Sequence, residues 1–129
     1  MAVNAYEVPG QVISLQARED LSAYQFRFVG LPDTSNQVTY CGAGAKATGV
    51  LQNKPAAAGR GAAIMISGIS LVTAGAAITV GAKVMSDAAG KAITATAGGS
   101  KEVLGIALQT VTADGHLVSV QIDQTGLLV

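Results

Sequence analysis

Apolar and polar residues alternate along this chain in short runs, each cut off by glycine or by turn-forming residues. Ile13, Leu15 and Ala17 fall on one side of an extended segment and Ser14 and Gln16 on the other, the period-two pattern of a half-buried strand. Tyr24, Phe26 and Phe28 alternate with Gln25 and Arg27 and predict the clearest strand of all. Further strands are predicted over residues 38–41, 47–51, 62–66, 69–73, 77–80, 83–86, 91–96, 103–110 and 117–122. Between them lie turns with a chemical reason. Gly30-Leu31-Pro32-Asp33 followed by Thr34-Ser35-Asn36 combines a fixed φ with side chains that bond their own backbone, and Asp87-Ala88-Ala89-Gly90 predicts a hairpin loop. Ala56, Ala57 and Ala58 have no room to extend into a helix between Pro55 and Gly59.

Many short strands at intervals of eight to twelve residues predict an all-β fold, a small sandwich or barrel with glycine-rich turns. An N-terminal arm closing at Pro9-Gly10 precedes it. Residues 1–20 are expected to hold this arm and the first strand, and residues 21–129 a single β domain. The uncharged run 61–82 is long enough to raise the question of a membrane span. Gly68, Gly75 and Gly81, with Ser67, Ser70, Thr73 and Thr79 between them, predict short strands and tight turns there and no association with a membrane.

Composition adds a constraint on partners. Half of the 129 residues are hydrophobic but only 4% are aromatic, so Val, Ile, Leu and Ala must fill the core. Charged residues make up 12%, about half the usual share, which points to a surface partly covered by a partner. Eight basic and eight acidic residues are scattered and cancel, without the basic stripe of a nucleic-acid binder. The start MAVNAYEVPGQ has neither a basic segment nor an apolar signal core, so synthesis in the cytoplasm is expected.

Candidate chemistry is sparse. Cys41 is the one cysteine, which excludes an internal disulfide and a cysteine-cluster metal site. His116, the one histidine, has only Asp114 close in sequence, too little for a general base with its nucleophile. Gly42-Ala43-Gly44-Ala45-Lys46-Ala47-Thr48 misses the phosphate-loop spacing, because an alanine separates each required pair. Lys91, beside Gly90 at a hairpin tip, invites comparison with the modified lysine of lipoyl and biotinyl carrier domains, although Gly90 and Ala92 replace the Asp or Met that flank it there. The carboxylates are dispersed, with no Asp-x-Asp-x-Asp loop. No catalytic residue, metal or cofactor is therefore expected.

Four segments in succession carry a resemblance: 49–59 (GVLQNKPAAAG), 68–75 (GISLVTAG), 78–92 (Ile78-x-x-Gly81-x-x-Val84-x-x-Asp87-Ala88-x-Gly90-Lys91-Ala92) and 103–108 (VLGIAL). In order and spacing they resemble the capsid decoration, or cement, proteins of tailed bacteriophages. The resemblance implies a non-enzymatic virion protein on the outer face of the head, made in the host cytoplasm. It also implies binding to the major capsid protein at subunit junctions as a homo-oligomer, a trimer before a dimer, reinforcing the shell. Another virion module, a head fibre base or a tail component, stays open beside this reading, and a carrier domain or a hydrolase remains as an alternative class. Tyr6, Val8 and Pro9 in the arm, and Leu127, Leu128 and Val129 at the C-terminus, are apolar and lie outside the predicted strands. They are the expected contacts with the capsid or a neighbouring protomer.

Overall fold

The computed structural model describes residues 5–96 and 101–128, which form strands, bridges and turns with no helix among them. The strands are β1 (Val8–Pro9), β2 (Val12–Ala17), β3 (Phe28–Gly30), β4 (Gln37–Val38), β5 (Ala47–Leu51), β6 (Gly61–Met65), β7 (Gly68–Thr73), β8 (Lys83–Ser86), β9 (Ala92–Thr94), β10 (Lys101–Ala107) and β11 (Leu117–Leu128). They make a six-stranded sheet in the order β1-β7-β11-β10-β8-β9 and a five-stranded sheet in the order β3-β5-β6-β2-β4. All pairings within the sheets are antiparallel except β2 with β4. The all-β expectation is met, and β6 and β7 occupy half of the uncharged run 61–82. Among the described residues there is no helix long and apolar enough to cross a membrane.

The five-stranded sheet closes on itself. Past β4 the chain reaches the free side of β3, where Gly30 N–H donates to Thr39 O at 2.9 Å, Cys41 N–H donates to Phe28 O at 2.9 Å, and Val29 bridges Tyr40. Closure gives a small barrel whose interior holds Ala17, Val29, Val38, Leu51, Ala62 and Ile64, with Leu21 from a loop, all fully buried. Alternate residues of the same strands face the other way. Phe28 and Val50 point outward from the barrel and meet Val72, Val84, Leu104, Val118 and Val120 of the six-stranded sheet in a second core. Side chains this small and branched suit two closely spaced layers, as the shortage of aromatics implied.

One antiparallel ribbon joins the two sheets. Val8 pairs with Ile69 and Pro9 with Gly68 in the large sheet, and Val12 pairs with Met65 and Ile13 with Ile64 in the barrel, without a change of register. At the crossing, Gln11 N–H donates to Ser67 Oγ at 2.9 Å and Ile66 N–H to Gln11 O at 2.9 Å.

Two predicted strands are not strands. Residues 24–27 form consecutive turns, with Tyr24 N–H bonded to Leu21 O at 2.9 Å, Arg27 N–H to Tyr24 O at 3.2 Å, and Phe26 at φ 63°. The turns bring Tyr24 into a parallel stack with Tyr40, centroids 4.7 Å apart, while the Arg27 guanidinium lies over Tyr24 at 4.8 Å. Tertiary stacking overrides the local alternation, and only Phe28 onward is extended. Over residues 77–80, Ile78 alone forms a β-bridge, exchanging bonds with Val111 at 3.0 and 2.9 Å, and Val80 N–H donates to Thr110 Oγ1 at 3.0 Å. A turn closed by Ala82 N–H to Thr79 O at 3.0 Å follows, with Gly81 at φ 86°, and leaves Val80 56% exposed. The last strand, expected to end at residue 122, continues to Leu128.

Candidate assembly surface

The chemically reactive side chains of the described residues lie apart from one another. Cys41 is fully buried in the core between the sheets, its thiol 3.5 Å from Ala45 O and 3.4 Å from Lys46 O. Burial raises its pKa above the ordinary 9.0, which keeps the thiol protonated and poorly nucleophilic. His116 precedes β11, and among the described residues its buried Nδ1 has no hydrogen-bond partner, so no carboxylate there orients the ring through that nitrogen. Asp114 instead pairs with Lys91, Nζ to Oδ1 at 2.9 Å, and the ammonium holds the Asp114 carboxyl below its usual range. Lys91 is thereby tied down with a side chain 22% exposed, unlike a lysine projecting from a carrier-domain turn. Among the described residues no group of three His, Cys, Asp or Glu is placed to hold a metal ion.

The arm has a defined seat. Tyr6 N–H donates to the Ser119 hydroxyl at 2.6 Å and that hydroxyl donates back to Tyr6 O at 2.7 Å, while Val8 and Pro9 pair with β7. Gly68, at φ 99°, permits this approach: a Cβ there would stand 2.5 Å from Gly10 N and 2.6 Å from Val8 O. Held in this way, Tyr6 (45%) and Val8 (53%) keep their side chains exposed, and Pro9 is exposed beside them. Val12, at 47%, extends the same strip into β2. Sequence reading passed over Val12, although it lies out of phase with the buried Ile13-Leu15-Ala17 face and the alternation marks it as outward. Leu31 and Val80 are also exposed large apolar residues, both in turns.

The C-terminal residues are not a loose tail. Gly126, Leu127 and Leu128 pair with Val103, Glu102 and Lys101 of β10, so Leu127 and Leu128 belong to the strand pattern from which they were excluded. Val129 lies outside the described residues. β1 and β11 both run antiparallel to β7 and therefore parallel to each other. Tyr6 sits level with Ser119, and Leu128 lies nine residues further along β11, roughly 30 Å away at the rise of an extended strand. The two candidate contact segments are at opposite ends of the sheet, not in one patch.

Ser119 is itself fully buried. Ser119→Ala should remove both bonds to Tyr6 and cost about 1–3 kcal/mol of global stability or less if the arm simply detaches. Faster deuterium uptake over residues 5–9, with the β10–β11 pairing unchanged, is the expected reading.

A two-layer β body with its arm seated at Tyr6 and an apolar strip on its outside is the build of a structural module in a larger assembly. The chain belongs to the phage cement protein family, whose description it matches over residues 8–122. It is accordingly a structural protein of the phage virion, bound at the surface of the head. Among solved structures it is similar to the head fiber gp8.5 N base in bacteriophage phi29, with 21% identity and a TM-score of 0.65 over 91% of this chain and 98% of that one. That likeness supports the fold. No match was found among curated protein sequences.

Proposed function

We propose that this protein binds the major capsid protein on the outside of the head, bridges neighbouring subunits, and does so as a homo-oligomer, a trimer in preference to a dimer. The observation that carries the reading is the exposed apolar strip of Tyr6, Val8, Pro9 and Val12, set along consecutive strands where the exposed Leu31 and Val80 stand singly in turns. Leu127 and Leu128, at the far end of β11, serve as a second contact together with Val129, which follows them in sequence, and two separated contacts are what bridging needs. Each bound copy stabilises the assembled shell by mass action, and the effect multiplies over many repeated sites. A structural role without catalysis fits the same features.

Removing residues 1–9 should lower occupancy on purified heads by roughly tenfold or more, the worth of one or two buried apolar anchors. The truncated chain should keep its far-ultraviolet spectrum. Wild-type occupancy after truncation would overturn the role of the arm. A second reading, favoured by the likeness to a head fiber base, is that the chain seats a projecting fibre on the head. Electron microscopy of particles separates the two: a low, regular coat supports cement, and a protruding rod supports the fibre base.

A further inference from the structure

Strand edges invite pairing with other chains, and this fold guards most of its own. Along β7, the Leu71 N–H meets the Glu7 carboxylate at 3.4 Å and the Thr73 N–H meets Phe26 O at 2.7 Å. Beside β9, Gly75 N–H donates to Ala92 O at 2.8 Å, and the barrel seam is closed through Gly30 and Cys41.

β2 is treated differently. Bonds from Ile66 N–H to Gln11 O and from Ala17 N–H to Arg60 O turn the polar backbone groups of its odd-numbered residues toward β6. By the alternation of an antiparallel ladder, Val12 and Ser14 aim their N–H and C=O groups the other way. β4 meets β2 only at Gln16 and Ala17. The turn before β4 keeps its donors to itself: Ser35 and Gln37 N–H both bind Asp33 Oδ1, at 2.8 and 3.0 Å, and Asn36 N–H binds Asp33 O at 3.0 Å. Asn36, at φ 59°, belongs to this turn, and with Ser35 it faces Ser14 across a gap. Among the described residues no strand pairs with the outward side of Val12 and Ser14. Beside it runs a groove of about 420 Å³, lined by Ser14, Gln16, Ser35, Asn36 and Gly61 among others and by no charged side chain.

We infer that this edge takes an extended segment of the shell protein as an added strand, a mode of binding that rests on the head-surface function proposed above. Free backbone donors and acceptors flanked by hydroxyl and amide side chains are the chemistry that recognises another peptide backbone. The edge borders the exposed Val12, and the ribbon that carries it leads on to the exposed Val8, so the incoming strand also covers the apolar strip. Two copies pairing through so short an edge would bury far less than the roughly 800 Å² per partner of a stable interface, whereas an extended segment can run on from Ser14 toward Val8.

The test is deuterium uptake by the full chain, free and bound to purified heads, together with Ser14→Pro. Proline removes the outward N–H and is tolerated at strand edges, so the bonds of Ile13 and Leu15 to β6 should survive. Binding to heads should suppress uptake over residues 12–15, and Ser14→Pro should weaken binding roughly tenfold, the equivalent of one or two lost hydrogen bonds. Unchanged uptake over 12–15 on occupied heads overturns the inference, and because it needs no variant it decides the matter even if Ser14→Pro misfolds. Protection that appears on concentrating the free protein assigns the edge to a second copy and also overturns it. If the wild-type chain fails to bind heads, the proposed function falls as well; if arm truncation weakens binding while Ser14→Pro does not, only the added strand falls.

Discussion

Ile64→Ala should destabilise the protein by about 2–5 kcal/mol, a large part of the 5–15 kcal/mol that holds a domain of this size together. Ile64 is fully buried inside the closed barrel, where it pairs with Ile13 on one side and Leu51 on the other. Strands bonded around the full circumference cannot easily move inward to fill the space, so the cavity remains and its cost adds to the lost transfer free energy. A drop of roughly 10 °C in the thermal midpoint is expected for a cost in the middle of that range. Ile64→Val removes one methylene and should cost about 1 kcal/mol. Ile66→Ala, at a position only partly buried at the rim, should fall well short of the Ile64 value. Equal losses at 64 and 66 in chemical denaturation would show that the barrel is not the rigid unit described.

How much of this was legible beforehand follows from the range of the forces involved. β5 and β8 were read with their observed bounds because alternation, β-branched residues and flanking glycines all act within a few positions. The Asp87–Gly90 turn was legible for the same reason: Asp87 Oδ1 accepts from Ala89 and Lys91 N–H at 2.8 and 2.9 Å, a local device of the side chain. Residues 24–27 misled because their alternation serves the stack of Tyr24 on Tyr40, sixteen positions away, and no local rule anticipates Phe26 at positive φ. Closure of the barrel was equally hidden, since it depends on Thr39 and Cys41 reaching Gly30 and Phe28. Tyr6, Val8 and Pro9 were legible as apolar residues of the arm, and all three are exposed. The seat that Ser119 gives the arm was not, because one serine inside an alternating strand carries no mark of its partner.

Gly49→Ala tests the other feature on which the barrel depends, the close crossing of β5 over β6. Gly49 has no positive φ, and its value lies in having no side chain: a Cβ there would overlap Met65 O and stand 2.9 Å from Ile64 Cγ2. Met65 is paired with Val50 across the two strands and with Val12 on its other side, so its carbonyl cannot retreat without loosening one ladder or the other. Overpacking against backbone should therefore cost at least the upper end of the usual range, about 3 kcal/mol. Trimming the neighbouring side chain in a Gly49→Ala, Ile64→Val double variant should give no rescue, because the carbonyl and not the methyl group is the main obstacle. Gly42 supplies the contrast, since it too has no positive φ and a Cβ there would meet nothing nearer than Ala45 Cβ at 4.0 Å. Gly42→Ala should be neutral or slightly stabilising, by up to about 1 kcal/mol, through the reduced freedom of the unfolded chain. Denaturation midpoints that placed the two alanine variants within experimental error of each other would show that β5 and β6 do not cross as closely as their backbones indicate.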